Sequence, residues 1–114
     1  MIVVVEAEVS PEWRSLVSCW IVRSGCLYMM AWGVECSSWD DSVDRANLEE
    51  FRFGDIPEDR FVVTTWHADE SLAEVFRFSK NNAFHPTVEL QQTVLLHTAA
   101  ESKEHELLAA YAQA

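Results

Sequence analysis

The run Ile2-Val3-Val4-Val5 limits the fold more than any other feature of the chain, because four consecutive β-branched residues leave no polar face. A strand with one wet side alternates apolar and polar residues, so an unbroken run fits a central strand covered on both sides, as in parallel sheets. The next residues start the cover. Ser10-Pro11-Glu12 offers an N-cap, a proline at the first helical position and an acid in the first turn. It opens a helix that carries Trp13, Leu16, Val17, Trp20 and Ile21 and stops at Gly25.

The same alternation repeats along the chain. Cys26 to Trp32 is a second apolar run ending at Gly33, and Ser37 or Ser38 is placed to cap a helix through Asp40, Val43, Ala46, Leu48 and Phe51. An irregular connection, Arg52 to Arg60, turns at Gly54-Asp55-Ile56-Pro57. A third strand, Phe61 to Trp66, leads through His67-Ala68-Asp69-Glu70 into a helix capped near Asp69 or Ser71, with Leu72, Val75, Phe76 and Phe78 inward and Asn81-Asn82 at its end. His85-Pro86 imposes an extended bend, Val88 to Thr98 reads as a last strand, and Glu101 to Gln113 as a tail helix. These residues predict one small three-layer α/β domain over residues 1–114, with a mostly parallel four-stranded sheet, right-handed crossovers and helices on both faces.

Charge narrows the partner. Nineteen acidic residues against eight basic ones give a formal net charge of −11. That field repels nucleic-acid phosphates and favours basic proteins, so direct DNA or RNA binding is not expected. The longest apolar runs are too short to span a membrane, and the amino terminus has neither a basic n-region nor a small-residue cleavage site, so a cytoplasmic location is expected. Three cysteines at spacings of seven and ten fit neither a disulfide framework nor a zinc pattern. Cys19 and Cys26 read as small buried hydrophobes. Cys36 falls in an expected loop whose acidic neighbours would raise its thiol pKa, which argues against a nucleophile.

Three blocks, Cys26 to Trp39, Phe53-Gly54-Asp55-Ile56-Pro57-Glu58-Asp59-Arg60-Phe61-Val62-Val63-Thr64-Thr65-Trp66-His67, and Ala83-Phe84-His85-Pro86-Thr87-Val88-Glu89-Leu90, resemble a family of small uncharacterised bacterial proteins. The resemblance runs from about Trp20 to His97. It implies that the chain is one known type of domain, and it brings no activity, catalytic residue or cofactor with it.

In a doubly wound sheet the carboxyl ends of the strands would carry Glu6 and Glu8, then Cys36, Trp39, Asp40 and Asp41, then Trp66, His67, Asp69 and Glu70 to one rim. His67 with Asp69, Glu70 and Asp40 is a chemically sensible ligand set for magnesium or manganese, or a base oriented by an acid. Acids in a first helical turn also complement the helix dipole, which accounts for their positions without a ligand. No helix start has a glycine-rich turn for phosphate, and no GxSxG or HExxH is present, so no nucleotide or other cofactor is expected. His85, His97 and His105 read as turn, half-buried and solvated residues.

Five tryptophans are many for a core of this size. Trp32, Trp39 and Trp66 fall at or beyond strand ends, where they form either a lid on the sheet or anchors for a partner. Aromatic anchors inside an acidic rim predict a partner-binding surface of Trp39, Asp40, Asp41, Trp66, His67, Asp69 and Glu70. The expected function is a non-enzymatic module that docks on a basic, nucleic-acid-handling protein or complex, a class that includes phage or mobile-element inhibitors of the anti-CRISPR kind. The alternative is the metal-assisted enzyme built on His67. A homo-oligomer held by exposed tryptophans is compatible with either.

Overall fold

The computed structural model describes residues 1–114, and its chain order is β1 (Ile2–Val5), α1 (Pro11–Arg23), β2 (Tyr28–Gly33), α2 (Cys36–Glu50), a 3-10 turn (Glu58–Arg60), β3 (Val63–His67), α3 (Leu72–Asn82), β4 (Leu95–Thr98) and α4 (Glu104–Gln113). The sheet is ordered β3-β2-β1-β4 and every neighbouring pair is parallel. The chain therefore winds outward from β1 to β3 and returns across the sheet to place β4 on the other side of β1. All four residues of β1 are buried, as the unbroken apolar run requires.

Strand alternation divides the core. Val3, Val5, Met29 and Ala31 face Ile21 and Val22 of α1 and Cys36, Trp39, Val43 and Ala46 of α2. Ile2, Val4, Tyr28 and Met30 face Val75 and Phe76 of α3 and Leu107 of α4. A small α/β domain with helices on both faces is thus the observed architecture. No helix is long and apolar enough to cross a membrane.

Local chemistry explains most boundaries. Ser10 accepts from the Trp13 backbone N–H and Pro11 opens α1. Ser71 and Glu74 form a reciprocal capping box at the start of α3, which fixes its cap at Ser71 rather than Asp69. α2 begins earlier than its serines suggest: Glu35, in the left-handed region at φ 53°, precedes it with no side-chain cap, and Cys36 is its buried first residue instead of a loop thiol. Cys26 lies just before β2 and, like Cys19, is only half-buried. Gly33 is required where β2 ends. Its φ is 100°, and a Cβ there would lie 2.0 Å from the Val5 carbonyl oxygen.

The last strand is shorter than its sequence implies. β4 pairs with β1 from Ile2 opposite Leu95 to Val5 opposite Thr98, so residues before Val94 run past the end of β1 and have no ladder to join. Residues 83–94 form an irregular strap instead. Buried His85 pins it: Nε2 donates to the Phe61 carbonyl at 2.8 Å, and Nδ1 accepts from the Thr87 and Val88 backbone N–H groups at 3.3 and 3.2 Å. Those partners define a neutral ring with its proton on Nε2. The tail helix begins at Glu104 rather than Glu101.

Candidate functional site

The carboxyl rim expected to act as one surface is divided by the sheet. On β3, Thr64 bonds to Asp44 of α2, whereas His67 packs edge-on against Phe78 of α3 with ring centroids 5.0 Å apart. The two-residue period therefore turns Thr64 and Trp66 toward the α1/α2 layer and Val63, Thr65 and His67 toward α3. Asp40, on α2, lies across the sheet from His67. The set His67, Asp69, Glu70 and Asp40 does not converge, and nowhere do three or more His, Cys, Asp or Glu side chains lie close enough together to hold a metal ion.

His67 is buried and fully engaged. Its Nδ1 meets Glu70 Oε1 at 2.9 Å and its Nε2 meets the Thr65 hydroxyl at 2.9 Å. The indole N–H of Trp32 donates to the Glu70 carbonyl at 2.8 Å, which fastens the same turn from β2. Both ring nitrogens are occupied, so the ring braces the turn between β3 and α3 and offers no free lone pair to a ligand.

Trp39 and Asp40, both expected on the partner-binding surface, are buried, at 1% and 5% exposed. Trp39 is a core residue. Asp40 is a buried carboxyl group whose Oδ2 has no hydrogen-bond partner. Burial, and then the charge of Asp44 one helical turn away, push its pKa up to about 6. Thr64 donates its hydroxyl to Asp44 Oδ1 at 2.6 Å, so the neighbouring charge is held in place. From the expected rim, Trp66, Asp41, Asp69 and Glu70 remain exposed.

The reversal of winding between β1 and β4 is where a doubly wound sheet opens a crevice. Here Glu6 fills it, accepting from Lys103 Nζ at 2.9 Å and meeting His97 Nε2 at 2.7 Å. These partners, Lys103 foremost, hold the Glu6 carboxyl below its ordinary range. The charges that could have met a ligand are paired with one another. A cavity of about 1030 Å³ lies at the opposite, amino edge between Tyr28, Met30, Lys80, Tyr111 and the 83–94 strap.

The most exposed apolar side chains are elsewhere again. Trp13, Leu16 and Trp20 are 43%, 71% and 54% exposed, although the sequence pattern of α1 predicts their burial. The buried side of α1 opposite them carries Ser18, Ile21 and Val22, and the helix is tied to its neighbours by Ser18 bonding Ser42 at 2.8 Å, Arg14 reaching Glu35 at 3.5 Å and Arg23 pairing with Glu50 at 2.9 Å. A signal for the outward stripe was present in the sequence. Trp13, Leu16, Val17, Trp20, Ile21 and Val22 span an arc of the helix wider than one buried face needs.

Fold and surface together define a small, all-parallel, doubly wound α/β domain with a paired crevice and an exposed aromatic flank. The chain belongs to the family described as a domain of unknown function (DUF7684), whose model matches residues 1–114. No curated protein and no solved structure matches it.

Proposed function

We propose that the protein is a non-enzymatic interaction module that docks on a basic protein of the kind that handles nucleic acid. The observation that carries this reading is the coexistence of large exposed apolar side chains, Trp13, Leu16, Trp20 and Trp66, with a net charge of −11. Exposed aromatics supply anchors that gain from desolvation, while the carboxylates steer a positively charged partner and disfavour nucleic acid itself. An inhibitor from a phage or mobile element, such as one that blocks a CRISPR effector, is one member of this class. The separation of Asp40 from His67 and the engagement of both His67 nitrogens favour docking over acid–base or metal chemistry.

The test is capture from host lysate with the purified protein at low and at high salt, with bound material identified by mass spectrometry. A basic partner that is released as salt rises is the expected result, and charge reversal at Asp41, Asp69 or Glu70 should weaken its capture. Recovery of no basic partner at either salt overturns the reading.

A further inference from the structure

We infer that the free edge of β3 is the docking surface, and that a basic, extended segment of the partner adds to it as a further strand. This rests on the docking reading above and adds where the partner sits and in what form. β3 ends the sheet and pairs with β2 alone. In a parallel ladder the N–H and C=O of one residue point to the same side, and the side alternates along the strand. The Val63 N–H donates to the Leu27 carbonyl at 3.0 Å, so Val63, Thr65 and His67 turn their backbone groups to β2, and Thr64 and Trp66 turn theirs outward. No strand lies beside those outward N–H and C=O groups, and no turn or loop backbone group bonds them.

Natural sheet edges are blunted by lysine, proline, a bulge or a covering segment. The run Val62-Val63-Thr64-Thr65-Trp66 contains neither lysine nor proline, is rich in β-branched residues and keeps an unbroken register against β2 from Val63 to His67. The edge is also held in shape before any partner arrives. Asn47 accepts from the Val62 N–H at 2.9 Å and donates to the Arg60 carbonyl at 3.2 Å, and Thr64 bonds Asp44. Trp66, 55% exposed, offers an added strand an aromatic side chain to cover. The other end strand, β4, is a poorer template: it has four residues, and the charges at its carboxyl end, Glu6, His97 and Lys103, are paired with one another.

Unpaired backbone groups select a strand, and charge selects its side chains. Exposed Asp44 meets Thr64, and the helical period sets exposed Asp41 one turn earlier on the same flank of α2, away from Ser42, which bonds α1. Asp69 and Glu70 follow β3 directly, with Glu70 tied to His67 on the α3 side. Carboxylates therefore border the edge on both faces of the sheet. Arg60, the nearest cation in sequence, is drawn back over the Phe51 ring. A second copy would set these carboxylates against their own kind, whereas an extended segment with lysines brings the opposite sign.

The probe is a capped peptide of about eight alternating Lys and Val residues, long enough to run past both outward residues, with a Glu/Val peptide as its control. Backbone amide exchange in the full chain is followed by NMR with and without each peptide. The Lys peptide is expected to slow exchange at Thr64 and Trp66 by about tenfold or more, and by more than at the inward Val63 and Thr65. The Glu peptide should slow neither. Trp66→Ala removes the aromatic side chain and keeps the N–H, and Trp66→Pro removes both. The proline is tolerated because that N–H points away from β2, and a thermal midpoint close to that of Trp66→Ala checks this. Calorimetry should show Trp66→Pro binding the Lys peptide about tenfold more weakly than Trp66→Ala. No preference for the Lys peptide, binding without protection of Thr64 and Trp66, or equal affinity of the two Trp66 variants overturns the inference. Protection of both amides that grows with protein concentration in the absence of peptide overturns it in favour of a second copy. A basic partner from lysate that Trp66→Pro still captures removes this edge while leaving the broader docking reading standing.

Discussion

Asp40 should make the protein less stable as pH rises through the weakly acidic range, and replacing it by asparagine should remove that loss. The side chain is 5% exposed, Oδ2 lacks a partner, and burial with the charge of Asp44 raises its pKa from 3.8 to about 6. In the unfolded chain the same group is water-exposed and ionises near its ordinary value. The folded state therefore binds the proton more tightly, and stability falls as pH climbs from the unfolded to the folded pKa. A rise of about two units at 1.36 kcal/mol per unit is about 3 kcal/mol, of which about 2 kcal/mol falls between about pH 4.5 and about pH 7.5.

An asparagine amide at this position mimics the protonated acid, with an N–H that can donate where the carboxyl proton did. Urea denaturation of the native chain and Asp40→Asn at those two pH values cancels the titrating groups that do not interact with Asp40. The variant should gain about 2 kcal/mol on the native protein as pH rises across this window. Asp44→Asn should shrink the pH dependence of the native chain by removing the neighbouring charge. A gap between Asp40→Asn and native protein that does not change with pH would refute the reasoning.

Other perturbations read different parts of the fold. Gly33→Ala combines a disallowed φ with a Cβ 2.0 Å from the Val5 carbonyl oxygen, and should cost about 3 kcal/mol or more in urea unfolding or leave the chain unfolded. Glu6 carries a depressed pKa, so its contribution is present above its ordinary value of 4.5 and is lost as pH falls through the lower folded value. Glu6→Gln should cost about 0.5–1 kcal/mol near neutrality, with thermal midpoints converging below about pH 4 and the gap narrowing in high salt.

Much of the architecture was legible in residue order. The β-branched run at Ile2 to Val5 announced a strand covered on both faces, and it is the buried interior strand β1. Ser10-Pro11 announced the start of α1, and Asp69 or Ser71 that of α3, because caps act within one turn and need only neighbouring residues. Val88 to Thr93 was misleading for the opposite reason: its residues favour a strand, but strand structure needs a partner, and β1 begins too late in the register to provide one.

The surface was less legible than the fold. Trp39 and Trp20 are chemically the same residue at helical positions, yet one is 1% exposed and the other 54%. Helical period alone does not separate them. The outcome depends on packing between distant segments: Trp39 joins the core cluster against the sheet, whereas Trp20 lies on the side of α1 away from its buried residues Ser18 and Val22. His67 and Asp40 likewise share an edge by topology and are parted by a one-residue difference in strand parity. Residue order was enough for the element types, the parallel α/β class and the sign of the protein's own field, since these arise from composition and from contacts a few residues apart. Which tryptophans meet solvent, which carboxyl is buried and which crevice is closed emerged only on folding, because those follow from strand order and from packing between segments far apart in the chain.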